Sequence, residues 1–310
     1  MSVSFSIQNK KKLLGYAKPI SVQDCLELLD SLEQFNFNET DENIDIEKFY
    51  ASSIKNFDCL LLGIRGKSGR GFELSYENDI NSYVVRVNTP ATSYDWQTAI
   101  EVIKALSYKF NSNIICENGE VYSAETIDIF DYNADILAGL KNIHKHINSE
   151  ELTDLVLQGV NHDCTINKEL FKKIYTSEDS VKSFSDFLVE VQNIDAYFAQ
   201  QMLFSSKDDK GSDIDEKTEV VGIYVLSEDV RTVLPFKPVL SFENYVACKD
   251  KQVEWNIYFY FTDEVGNTQY PYTDFIEKLP KEKYSFIDAN NIVVEPFSKQ
   301  EILDFMGIEI

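Results

Sequence analysis

The chain opens on an alternation: Val3, Phe5 and Ile7 stand at every second position among serines, the period of a half-buried strand. Lys10, Lys11 and Lys12 follow, with a short apolar patch at Leu13 and Leu14. Ser21 lies three residues before Asp24, so its hydroxyl can accept from a free helix N–H while the carboxylate accepts from the serine's own N–H. Val22, Cys25, Leu26, Leu28, Leu29 and Leu32 then recur at helical spacing, which predicts a helix of about three turns. Residues 36–47 are polar and acidic and read as a loop with a short helix after it.

A strand-rich block comes next. Residues 59–64 are a nearly continuous apolar run, closed by Gly66, Lys67, Ser68, Gly69, Arg70 and Gly71. Phe72, Leu74 and Tyr76 alternate, residues 78–81 turn, and Tyr83, Val85 and Val87 alternate on the return. Three sequential strands on short turns predict an antiparallel meander. Past Pro90 the period changes: Asp95 precedes Trp96, Ala99, Ile100, Val102, Ile103, Leu106 and Phe110 on a helical stripe. Residues 114–116 and 121–122 then read as a hairpin across Asn118 and Gly119, a pair that supplies the positive φ angles of a tight turn.

The middle of the chain reads as helical. Ile136, Leu137, Leu140, Ile143 and Ile147 form one amphipathic stripe, and Phe184, Phe187, Leu188 and Val191 another. Residues 205–217 are almost devoid of apolar side chains and rich in acids. Strands return at 220–226, 253–261 and 291–294, with a proline-bearing extended stretch at 234–238. Ser298, with Glu301 in the capping-box position, starts a last helix over Ile302, Leu303 and Phe305. This pattern predicts an α+β fold: two mixed, largely antiparallel sheets with flanking helices and a helical middle segment. The implied divisions are an α+β half at 1–131, a helical segment at 132–204, an acidic loop or linker at 205–219 and a second α+β half at 220–310, with packing as one unit as the alternative.

Composition narrows the class. With 44% hydrophobic and 13% aromatic residues in 310, a packed core is expected. The net charge of -23 and pI of about 4.5 set the chain against nucleic-acid phosphates and anionic lipid. The expected partner is therefore a basic protein, with neither nucleic acid nor membrane. No run approaches the ~20 apolar residues that span a bilayer, and an alternating strand ahead of the lysines reads against a secretory signal. Cys25, Cys59, Cys116, Cys164 and Cys248 are scattered without a C-x-x-C pair, as expected of reduced cysteines in the cytoplasm. Abundant Asn, Ile, Lys, Phe and Tyr suggest an AT-rich bacterial genome.

The chemical motifs fail one by one. Gly66, Lys67 and Ser68 resemble the end of a phosphate-binding loop, but Leu61 stands where its first glycine belongs, and a strand pattern follows instead of a helix. His144 and His146 sit two apart on a helical stripe, about 200° around the axis, too divergent to share a metal. His162 and Cys164 are close in sequence, which says little about pairing of a nucleophile with its base. In the acidic stretch Gly211 misses the sixth position of a calcium loop. No cofactor and no metal are expected, and no catalytic residue is assigned. The candidate binding residues are Arg65, Arg70, Glu73, Arg86, Asp95 and Trp96, which cluster on or beside consecutive strands and the following helix. They read either as a polar ligand site on the sheet or as an internal arginine–carboxylate brace over a core tryptophan, and the brace is the simpler reading.

The run Gly69, Arg70, Gly71, Phe72, Glu73, Leu74, then Val85, Arg86, Val87, Pro90, Ala91, Thr92 and Asp95, Trp96 resembles DUF4299, a bacterial family of unknown function about 300 residues long. The resemblance implies one continuous unit over nearly the whole chain and carries over no mechanism. The leading expectation is an acidic, non-enzymatic binding protein, immunity- or inhibitor-like, that engages a basic protein. The alternatives are an enzyme with an unrecognised polar site on the first sheet, and a scaffolding protein.

Overall fold

In the computed structural model, which describes residues 1–37, 45–148, 154–205, 220–240, 251–262 and 268–308, the opening alternation becomes strand β1 (Ser2–Gln8). Phe5 and Ile7 are fully buried on one side of it, and the serines face the other. The chain divides into two compact units: Met1–His162 with Asn167–Ile194, and Asp163–Ile166 with Asp195–Ile310.

The first unit is built on a seven-stranded antiparallel sheet. Its other strands are β2 (Glu33–Gln34), β3 (Leu60–Gly63), β4 (Phe72–Glu77), β5 (Ser82–Asn88), β6 (Ile114–Cys116) and β7 (Val121–Tyr122), in the order β2-β3-β4-β5-β1-β6-β7. The predicted meander is β3-β4-β5, and the predicted hairpin is β6-β7 with Gly119 at φ +89°. Helices α1 (Val22–Leu26) and α2 (Ile46–Ala51) precede the meander, and α3 (Ser93–Phe110) lies against β1 and β5. Trp96, Ala99, Ile100, Val102, Ile103 and Leu106 of the predicted stripe of α3 are buried, and Phe110 at its end is half-buried. Three further helices, α4 (Tyr132–Ile147), α5 (Lys168–Tyr175) and α6 (Ser180–Gln192), pack on one another and on α3.

Two local expectations change. Helix α1 keeps its Ser21–Asp24 capping box but stops after little more than a turn. Ser31 adopts a left-handed φ of +64°, and Glu33 and Gln34 pair with Gly63 and Leu62. The stretch that the leucine periodicity assigned to helix thus turns through residues 27–31 on its way into β2, and Leu32 is buried from there. The middle segment also holds strands: β8 (Asp154–Leu157), β9 (Cys164–Asn167), β10 (Tyr197–Phe198) and β11 (Met202–Ser205). The acidic stretch lies outside the described residues apart from Ser205, which ends β11.

The second unit contains two four-stranded sheets where the sequence suggested one. One runs β10-β13-β17-β16, adding β13 (Thr232–Pro235), β16 (Tyr284–Phe286) and β17 (Asn291–Val294). The other runs β11-β12-β14-β15, adding β12 (Val220–Ser227), β14 (Val253–Tyr260) and β15 (Gln269–Pro271). Both are mixed, since β10 pairs with β13, and β12 with β14, in parallel. Their shared core holds Tyr224, Leu226, Ile257, Phe259, Ile292 and Leu303, closed by helices α7 (Tyr272–Lys278) and α8 (Lys299–Met306). Ser298 and Glu301 form the expected capping box on α8.

Candidate functional site

The three arginines of the first sheet do not converge. Arg65, just past β3, pairs its exposed guanidinium with Glu33 at 2.8 Å. Arg86 and Glu73 are direct partners across β5 and β4 and meet at 3.2 Å, and Arg86 also donates to the Ser2 hydroxyl. Arg70 turns elsewhere: its side chain donates to the backbone carbonyls of Gln158 and Pro90, each at 2.9 Å. Surface pairs of this kind contribute about 0–1 kcal/mol each, enough to set side-chain direction and little more.

Asp95 does something different. It is completely buried at the third position of α3, where it closes a capping box with Thr92. Its carboxylate also accepts from the backbone N–H groups of Gly69 at 3.1 Å, Arg70 at 2.9 Å and Gly71 at 2.9 Å. The Thr92 N–H and hydroxyl complete the set at 3.1 and 2.7 Å. Every one of these groups donates, so the charge is solvated by protein dipoles instead of by a cationic side chain. Burial pushes the carboxyl above its ordinary value, against the pull of the Arg70, Thr92 and Gly71 donors.

The same turn is held from other directions. Ser68 is buried and its hydroxyl accepts from Ile64 N–H, while Asn193 at the end of α6 accepts from Gly66 N–H and donates to the Ser68 carbonyl. Gly71 has φ +64°, and a Cβ there would meet the Leu62 carbonyl at 2.4 Å. The Gly-Lys-Ser run is therefore a fixed strand-to-strand turn, and Phe72 opens β4 where a phosphate loop would open a helix. Trp96 is fully buried, with its ring 5.2 Å from that of Phe130 and edge-on to Phe5 at 6.3 Å. Of the six residues singled out, Arg70, Asp95 and Trp96 meet around the start of α3, Arg86 and Glu73 meet on the sheet, and Arg65 stands apart with Glu33.

Two of the histidines and a buried cysteine are also engaged or inert. The His144 ring stacks on Tyr175 at 4.4 Å, and the His162 ring sits 3.1 Å from the Val191 carbonyl. Burial pushes the Cys25 thiol up to about 12, which makes it a poor nucleophile at neutral pH. Among the described residues no three His, Cys, Asp or Glu side chains gather as a metal site would need.

A second feature lies in the second unit and was not singled out from the sequence. In the sheet β11-β12-β14-β15, one face carries Tyr224, Leu226, Ile257 and Phe259 into the core. The opposite face is apolar along β11 and β12 and mixed along β14, where Glu254 and Asn256 stand beside Val221 and Ile223. Met202 stands across from Ile223, Phe204 from Val221, and Val225 from Tyr258. Met202 is 38% exposed, Phe204 54%, Tyr258 40% and Tyr260 53%. A strand apolar on both faces is ordinarily covered on both, and an apolar patch left open on a sheet marks an interaction surface. The signal was legible in residues 220–226, where both alternating sets are apolar except for Gly222, a pattern that says "two covered faces" without saying what covers the second.

The sequence profile of the family described as "Domain of unknown function (DUF4299)" matches residues 2–305 of the chain. No curated protein and no solved structure matches it.

Proposed function

The chain belongs to the DUF4299 family, and we propose that it works by binding, engaging a basic protein through the open apolar face of the sheet β11-β12-β14-β15. The observation that carries this reading is that Met202 and Phe204 on β11 and Tyr258 and Tyr260 on β14, all partly exposed, share one sheet face with Val221, Ile223 and Val225 of β12 between them. Tyrosine, phenylalanine and methionine are the side chains enriched in protein interfaces. A basic partner is favoured by the net charge of -23. It is favoured further by the sequence next to β11, where Asp208, Asp209, Asp213, Asp215 and Glu216 follow. The chemistry around Asp95 and the arginines supports a structural role for that region, since each group there is spent on holding a turn or a strand pair. We assign the protein to the bacterial cytoplasm, in an immunity- or inhibitor-like role, on the same grounds of acidity and scattered free cysteines.

The test is a photo-crosslinking residue placed at Tyr258, with Tyr94 on α3 as an equally exposed control. The expected result is a crosslink from position 258 alone to a protein of high pI. The purified pair should then bind about tenfold more weakly after Phe204→Asp, and more weakly still at high salt. Equal crosslinking from both positions, or affinity indifferent to Phe204→Asp, rejects the assignment.

A further inference from the structure

The lysines and leucines that follow β1 take no part in either region described above. Residues 10–15 are all exposed and form a projecting turn. Ala17 N–H donates to the Lys10 carbonyl at 2.8 Å, Lys12 N–H donates to the Gly15 carbonyl at 2.8 Å, and Lys11 bridges Tyr16. Gly15 closes the tip at φ +77°. At that tip Leu13 is 101% and Leu14 91% exposed, the two most exposed large hydrophobic side chains among the described residues. Lys10, Lys11 and Lys12 precede them, and Lys18 follows in the returning arm.

We propose that this turn is a docking tip for an anionic lipid surface, with Leu13 and Leu14 entering the acyl boundary and the lysines resting among headgroup phosphates. Three features favour lipid over an acidic protein. Adjacent side chains on a tight tip splay in different directions, so a protein pocket takes one, whereas fluid hydrocarbon takes both. All four cations are lysines, point charges on long stems that suit a diffuse layer of anions; a pocket built for a carboxylate favours the planar fork of arginine. The tip is convex, which fits insertion below a surface at the headgroup–acyl boundary. The charge of -23 opposes approach to anionic lipid, but at cellular ionic strength charges beyond about 8–10 Å of the surface are screened. A projecting turn puts its own lysines inside that distance first.

The experiment is sedimentation of the full-length protein with vesicles of phosphatidylcholine alone and of phosphatidylcholine mixed with phosphatidylglycerol, at about 0.15 M and about 1 M salt. Binding is expected only to the mixed vesicles and only at lower salt, weakened about fivefold by Lys11→Gln. The double substitution Leu13→Glu with Leu14→Glu should abolish it while leaving the melting temperature unchanged, since the tip touches no core. As a second readout, the protein with Leu13→Trp should show blue-shifted emission on adding mixed vesicles. Absence of binding to mixed vesicles at about 0.15 M salt overturns the proposal. So does binding that survives the double glutamate substitution, or Trp emission that stays unshifted. A failure here leaves the proposed protein-binding face untouched, because that face lies in the other unit and is read by crosslinking.

Discussion

At the scale of single residues, the most consequential side chain is Asp95. One carboxylate fixes the start of α3 and the turn of residues 69–71 together, through four backbone N–H groups and one hydroxyl. Removing its charge while keeping its shape isolates that role. Asp95→Asn replaces one oxygen with an NH2 that faces backbone donors, leaving buried donors unmatched. The expected loss is about 2–4 kcal/mol of unfolding free energy by urea denaturation. Glu73→Gln, which touches only the half-exposed pair with Arg86, should cost under about 1 kcal/mol. Comparable losses from the two would show that Asp95 is an ordinary surface-type partner. The contrast also explains why the region looks like a site in sequence. Polar residues gathered around a glycine-rich turn serve phosphate loops and structural clamps alike, and only the direction of each hydrogen bond tells them apart.

At the scale of elements, the second unit depends on β12 and β14 lying side by side in parallel, with Gly222 directly across from Trp255. The glycine is there for space: a Cβ would stand 2.2 Å from the indole ring. Gly222→Ala must push Trp255 aside, and with it the packing against Tyr224, whose ring lies 5.8 Å away. A loss of about 1–3 kcal/mol is expected, together with a change in Trp255 fluorescence measured in a Trp96→Phe background. An alanine variant with unaltered emission and stability would mean that the strands part easily at this point. Helix α1 shows the opposite balance. Its cap was written locally and forms, but its length is cut short because the chain turns through residues 27–31 to bring β2 alongside β3.

At the scale of the whole molecule, charge dominates. With 52 acidic residues against 29 basic ones, the folded chain carries a net excess of like charge that compaction concentrates. Sodium chloride should therefore stabilise it. The melting temperature is expected to rise by several degrees, on the order of 1 kcal/mol, between low salt and a concentration where the Debye length falls to about 3 Å. A flat or falling melting temperature would show that the acids are already balanced locally by neighbouring cations. The same excess charge sets the two proposed contacts apart. The apolar sheet face adjoins an acid-rich sequence and suits a basic protein. The lysine-flanked tip is a local reversal of sign in an acidic chain. No helix among the described residues is long and apolar enough to cross a membrane.

The sequence by itself determined what depends on near neighbours. The strands of the first sheet other than β2, the stripe of α3, the caps at Ser21 and Ser298 and the failure of the phosphate-loop reading all follow from spacings of a few residues, where sterics and local hydrogen bonds decide. Trp96 was legible as core because its helical period put it there. Tertiary structure decided the rest, because its causes are distant in sequence. The Glu33 partner of Arg65 is 32 residues away, and the Asn193 latch reaches Gly66 across 127. The double-faced apolar pattern of β12 announced two coverings, but only the fold shows that one of them is the core and that Phe204, Tyr258 and Tyr260 on the other side are partly exposed.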